Sequence, residues 1–317
     1  MDDAGVVRSR PSKEAAAVEA VPVRHYGRWV GAAAALLVVA LVVRLFVLSP
    51  NIHWADVGKY LFSAQILAGV RLTIVFTALS MTLALVIGIL MAVMRLSVNP
   101  VLSTLSWFYI WFFRGTPQLL QIILFFNIAL VLPKVGIGIP WTGWWASTDT
   151  VNIVTASVAA VLALGLNEGA YMAEIVRAGI QSVDFGQTEA ALALGMKRRL
   201  AFRRVILPQA MRAIIPPTGN EVIGMLKYTS LVSVIAAQEL LTKAQNISAG
   251  NFLIIELLMV AAFWYLLLTT LLMWAQYYIE RHYARGATNR ELPPTPMQRL
   301  RARFGRLARA ARREADR

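Results

Sequence analysis

The sequence predicts an all-α membrane protein of about six transmembrane helices, on three observations. Hydrophobic residues make up 58% of the 317 positions and charged residues only 15%, a balance typical of multi-span membrane chains and rare in soluble domains. The apolar residues gather in six runs, at 29–48, 69–94, 117–132, 151–172, 214–237 and 252–277, most of them near the ~20 residues a helix needs to cross a bilayer. The basic residues alternate between the segments joining these runs. With Arg44 and Lys227 excluded as intramembrane, twenty-five fall in the tails and alternate segments, against four (Lys59, Arg71, Lys134 and Lys243) in the others. By the positive-inside rule both termini are then cytoplasmic, which explains the net charge of +14 by topology rather than by nucleic acid.

The first run follows a tail carrying both signs of charge and is not followed by a clear small-residue cleavage site, so it reads as an extra anchoring helix, 29–48, rather than a signal peptide. Arg44 near its outer end can snorkel to the headgroups. In the second run Ser80, Ala84 and Gly88 recur every four residues, the pattern of a close helix–helix packing face. The third run opens on Thr116 and Pro117, an N-cap hydroxyl followed by a proline suited to the first helical position. Pro133, Gly136, Gly138 and Pro140 break the chain after it, and Trp141, Trp144 and Trp145 suit an interfacial aromatic belt. The tail 284–317 is basic, with Leu300, Phe304, Leu307 and Ala311 at helical spacing; it suits an anionic lipid surface or a solvated tail.

Between the fourth and fifth runs lies a polar, basic interruption. Thr188 can cap a helix, Glu189 sets a carboxylate against the positive end of the backbone dipole, and Leu192, Met196 and Leu200 fall at i, i+4, i+8. Gly195 supplies a turn between two short helices. Glu189-Ala190-Ala191, three residues, Gly195, nine residues, Val205, one residue and Leu207-Pro208 reproduce, with valine in place of isoleucine, the EAA pattern of ABC importer permeases. Phe113-Arg114-Gly115-Thr116-Pro117, Leu166 to Tyr171, and Gly219-Asn220-Glu221 through Leu231 resemble the polar amino-acid uptake branch of that family.

The resemblance covers about residues 60–283. It implies a type I permease bundle in a bacterial cell membrane, with a cytoplasmic coupling helix. Glu189, Ala190, Ala191, Leu192, Gly195, Met196, Leu207 and Pro208 would then engage a cleft of an ATPase subunit. It also implies a dimer of ATPase subunits, a second permease subunit, identical or paralogous, an extracytoplasmic solute-binding protein, and a polar amino acid such as glutamate, glutamine or cystine.

Asn167, Glu168 and Tyr171 share one arc of the fourth run, and Asn220, Glu221, Gly224, Lys227 and Tyr228 one arc of the fifth. Ionisable groups in lipid are costly unless they meet a partner or a wet cavity, so Asn167, Glu168, Tyr171, Asn220, Glu221 and Lys227 are candidates both for the substrate pathway and for interhelical glue. Glu221 and Lys227 would pair only across a helix break, for which Pro216, Pro217 and Gly219 offer a place. The same carboxylates would also serve an ion-gradient-driven secondary transporter, the rival reading. No phosphate-binding loop, Ser/His/Asp arrangement or HExxH motif occurs, Cys is absent, and His25, His53 and His282 are scattered. The chain therefore reads as a transporter subunit without cofactor, with ATP and Mg held by the partner.

Overall fold

The protein is described here by a computed structural model covering residues 26–138 and 145–284. The tails expected to be cytoplasmic lie outside the described residues except for 26–28 and 284, as do Pro140, Trp141 and Trp144. The chain forms two compact units, Met1–His53 and Trp54–Arg317. The first holds α1 (Tyr26–Val47), apolar on every side and exposed along its described length, with Arg44 in the last turn. A helix apolar all round suits lipid as its surroundings.

The second unit runs α2 (Trp54–Leu61), α3 (Ala64–Arg95), α4 (Pro100–Gly115), α5 (Gln118–Phe126), β1 (Lys134–Gly138), β2 (Trp145–Asp149), α6 (Thr150–Ile153) and α7 (Ala156–Gln181). It continues through α8 (Phe185–Ala193), α9 (Arg198–Ala201), a π-helical turn Phe202–Ile206, α10 (Leu207–Tyr228), a 3-10 stretch Thr229–Ile235, α11 (Leu240–Asn251) and α12 (Ile254–Ala284). Four helices among the described residues are long and apolar enough to cross a membrane: Trp29–Val47, Ala64–Arg95, Ala156–Gln181 and Ile254–Tyr283.

The other two expected spans differ from the sequence reading. The run 117–132 gives only the nine-residue α5 and a 3-10 turn, because helical chain also occupies 100–115, read from sequence as a loop. α4 and α5 are about 24 Å and about 14 Å of helix, separated at Thr116 and Pro117. The fifth run gives the 22-residue α10, interrupted by Pro, Arg and Glu, and ends in the 3-10 stretch. Pro133 precedes an antiparallel hairpin in which Lys134 faces Asp149 and Gly138 faces Trp145, the described departure from an all-helical chain.

α3 packs along α7, and the stripe of Ser80, Ala84 and Gly88 is buried there. A Cβ on Gly88 would stand 2.5 Å from Met172 Cβ, so only glycine permits this approach. With no hydrophobic drive between helices in lipid, such small-residue contact is what holds spans together. α11 is fixed by Glu239, fully buried, whose carboxylate accepts from Leu241 N (2.8 Å), Thr242 N (2.7 Å), Thr242 Oγ1 (3.1 Å) and Tyr265 Oη (2.6 Å).

Candidate functional site

The break between α4 and α5 begins in covalent geometry. Pro117 biases Thr116 away from helical backbone, and Thr116 is extended at φ −116°, ψ 145°. A break leaves the last carbonyls of α4 without helical partners, a serious cost where no water is at hand. Side chains satisfy them. Gln121 Nε2 donates towards Phe113 O (3.0 Å), Thr116 O (3.2 Å) and Thr116 Oγ1 (2.7 Å), and Asn167 Nδ2 donates to Phe113 O (2.9 Å). Thr116 Oγ1 in turn donates to Phe112 O at 2.9 Å. The expected N-cap role of Thr116 is thus corrected: it closes the end of α4, and Pro117 stands at the cap position of α5 with no side-chain cap bond.

Beside this break lies a cavity of about 490 Å³ lined by Arg114, Gly115, Thr116, Pro117, Gln118, Asn167, Glu168, Tyr171, Glu221 and Tyr228. α7 contributes Glu168, only 2% exposed, with Oε1 lacking a protein partner. α10 contributes Glu221, within hydrogen-bonding reach of the Glu168 carboxyl. Two carboxyl groups this close either share a proton or hold a cation between them. The Arg114 guanidinium lies 5.1 Å from the Tyr171 ring centroid, a cation–π stack. The N-terminal turn of α5 adds the positive end of its dipole to the wall. The cavity thus offers a negative corner and a positive rim.

Four of the six pathway candidates, Asn167, Glu168, Tyr171 and Glu221, come together here, although Asn167 is engaged in closing the helix break. Asn220 and Lys227 do not line the cavity. Asn220 Oδ1 accepts from Gln276 Nε2 at 3.1 Å, and Lys227 is exposed near the end of α10. The break expected at Pro216, Pro217 and Gly219 is absent: α10 runs through both prolines, and Gln276 Nε2 also donates to Pro216 O at 3.2 Å. Arg114, Gln118 and Thr116 were not singled out as lining residues. Their signal was the Gly115-Thr116-Pro117 triplet inside an apolar run.

At the far end of α7 the EAA segment forms α8, then a tight turn, then α9. Asp184, not Thr188, caps α8, through Gly186 N→Asp184 Oδ1 at 2.7 Å; Thr188 sits inside the helix. The end is a Schellman motif: Met196 N donates to Ala191 O (3.1 Å), Gly195 N to Leu192 O (2.9 Å), and Gly195 takes φ +79°. Because the chain turns at Gly195, Leu192, Met196 and Leu200 do not form the single stripe expected of them. Glu189 and Ala190 are exposed and Ala191 is buried. The apolar side chains most exposed on this element are Leu194 at 83% and Phe185 at 74%. Leu207 follows the π-helical turn, and exposed Pro208 stands in the first turn of α10, where a missing N–H is tolerated.

Comparison with known proteins places these features in context. Residues 84–285 match the family described as binding-protein-dependent transport system inner membrane component. The chain is 45% identical over 276 residues to the arginine transport system permease protein ArgU of Corynebacterium glutamicum, covering 86% of this chain and 84% of that one. It is 36% identical over 226 residues to the nopaline transport system permease protein NocM of Agrobacterium fabrum, covering 69% and 89%. Among solved structures, a crystal structure of an amino acid ABC transporter with histidines aligns with a TM-score of 0.62 at 34% identity, over 73% of this chain and 99% of that chain. An inward-facing methionine ABC transporter, MetNI, shares the fold at a TM-score of 0.52 and 18% identity, over 69% and 96%. The chain belongs to the family of inner membrane components of binding-protein-dependent transport systems.

Proposed function

We propose that this chain is the permease subunit of an ATP-driven amino-acid importer whose substrates carry a cationic side chain. The observation that carries this reading is the pairing of Glu168 and Glu221 in a cavity that holds one guanidinium, Arg114. A cation entering between the two carboxyls displaces any proton they share, so the pair suits a guanidinium or ammonium group, while Arg114 and the α5 N-terminus suit an α-carboxylate. The name of one relative, the arginine permease ArgU, supports the same class, while others are named for glutamine. Glutamate, one of the substrates implied by the motif resemblance, would set its side-chain carboxylate against the Glu168–Glu221 pair.

Like other members of its family, the chain works with further subunits. In this reading two ATPase subunits bind at the α8–α9 element, hold ATP and Mg, and hydrolyse it. A second permease subunit completes the pathway, and a solute-binding protein delivers substrate on the opposite side. The termini and the EAA segment are cytoplasmic. The exposed Leu194 and Phe185, apolar groups on an element outside the spans, suit a helix-in-groove contact with the ATPase. Closure of the ATPase pair would shift α8, and with it α7 and α10, between two arrangements of the cavity. Family membership favours this ATP-driven reading over the ion-gradient one.

The test is uptake into proteoliposomes holding the complete transporter, with ATP inside and the binding protein outside. Radiolabelled L-arginine accumulates only with ATP and persists when proton and sodium gradients are collapsed. Uptake without ATP that collapses with the gradient contradicts the proposal.

A further inference from the structure

A second cavity, of about 390 Å³, adjoins the first and shares Arg114 and Gly115 with it. Its other lining residues are Arg95 at the end of α3, Trp107, Ile110 and Trp111 on α4, and Glu174 on α7. Glu174 stands six positions beyond Glu168, about 9 Å further along α7 towards α8. The second cavity therefore lies on the α8 side of the carboxylate pair. We propose that it is an inner relay site for the substrate's α-carboxylate, passed from Arg114 to Arg95 as the amino acid leaves the Glu168–Glu221 site. This inference rests on the function proposed above.

The charge arrangement argues for it. Glu174 is bonded to Arg177, with Nη2 at 2.6 Å from Oε2, and alone this i,i+3 pair would be an ordinary surface pair. Arg95 and Arg114, however, arrive from two other helices within electrostatic reach of the same carboxylate. The lining itself carries two guanidinium groups, Arg95 and Arg114, against the one carboxylate of Glu174, which is already bonded to Arg177, and this leaves the cavity positive. Arg95 Nη1 donates to Ser103 Oγ at 2.9 Å, a neutral acceptor, and Glu174, the carboxylate it reaches, is already bonded to Arg177. Arg95 and Arg114 stand in the last turns of α3 and α4, and the surplus positive charge they give the cavity suits an anion. The first cavity has two carboxyls, Glu168 and Glu221, against one guanidinium. An amino acid with a cationic side chain matches both, its carboxylate leading towards the inner cavity. Arg114, in the wall of both, is the shared hand-over point, and the stacked Trp107 and Trp111, 6.1 Å apart, form an apolar side of the inner cavity.

The chain contains no cysteine, so a single introduced thiol reports on the inner cavity. In the intact transporter, Ile110→Cys is alkylated with N-ethylmaleimide in the presence and absence of L-arginine. The inference expects arginine to slow labelling severalfold, and Arg95→Gln in the same background to abolish that protection. In uptake assays, Arg95→Gln lowers turnover about tenfold, the size of one lost charge-assisted contact, with little change in KM, and Arg95→Lys restores at least half. Labelling indifferent to arginine, or full turnover in Arg95→Gln, overturns the relay while leaving arginine import intact. Equal loss in Arg95→Gln and Arg95→Lys, with protection unchanged, assigns Arg95 a packing role and also overturns it. Absence of arginine uptake by the unaltered transporter refutes the proposed function itself.

Discussion

Asn167 on α7 donates to Gln121 Oε1 on α5 at 3.0 Å, and both side chains also serve carbonyls freed by the break at Thr116–Pro117. The break is therefore a built feature of the bundle. A polar pair from two helices replaces the water that would otherwise solvate an interrupted backbone.

Gln121→Leu removes the donor to Phe113 O and Thr116 O while keeping the side chain's bulk. Phe113 O keeps Asn167 Nδ2, so the substitution strands Thr116 O, a cost of about 1–3 kcal/mol. The purified protein in detergent is expected to melt at a clearly lower temperature than the unaltered chain. An unchanged Tm would show that the break is satisfied by other means.

Gly195→Ala tests the turn that ends α8. A Cβ there meets nothing within 4 Å, so the substitution acts through backbone conformation alone: φ +79° costs a non-glycine residue about 1–2 kcal/mol. The expected result is ATP hydrolysis that continues with less substrate moved per ATP, read from parallel ATPase and uptake assays. An unaltered ratio would remove Gly195 from the coupling path.

Leu194→Ser and Phe185→Ser remove exposed apolar surface without touching a buried residue. Both are expected to weaken capture of the ATPase subunit on affinity purification by about tenfold, the effect of burying one large side chain less well. Retention at the unaltered level would place the contact elsewhere.

Glu239→Ala removes an N-cap and the acceptor of the Tyr265 hydroxyl together. A loss of about 2–4 kcal/mol follows, since bonds to charged groups contribute about 1.5–3 kcal/mol each and are not additive. Thermal unfolding reads it directly. Normal stability would mean that α11 is held by its apolar contacts alone.

Much of this was legible from sequence because the signals are local. Ser80, Ala84 and Gly88 announce close packing by their spacing, and Gly195 announces a helix end through the backbone conformation glycine favours. Glu168 and Glu221 stand out as charges in apolar runs. The split into α4 and α5 was hidden because residues 100–132 read as aromatic and apolar almost throughout, and the Thr116-Pro117 signal fits a helix start as well as a break. Asn220 shares the arc of Glu221, yet its partner Gln276 lies 56 residues away, a contact that no periodicity in α10 reveals. Glu239 depends in the same way on Tyr265, 26 residues away.

Whether the Glu168–Glu221 pair holds the cation of the substrate is read from equilibrium binding of radiolabelled L-arginine to the purified permease–ATPase complex. Glu168→Gln keeps the shape and removes the charge. Saturable binding by the unaltered complex and at least about tenfold weaker binding by Glu168→Gln, with ATPase association retained, are expected. Equal affinity in the two would contradict a cation site at the pair.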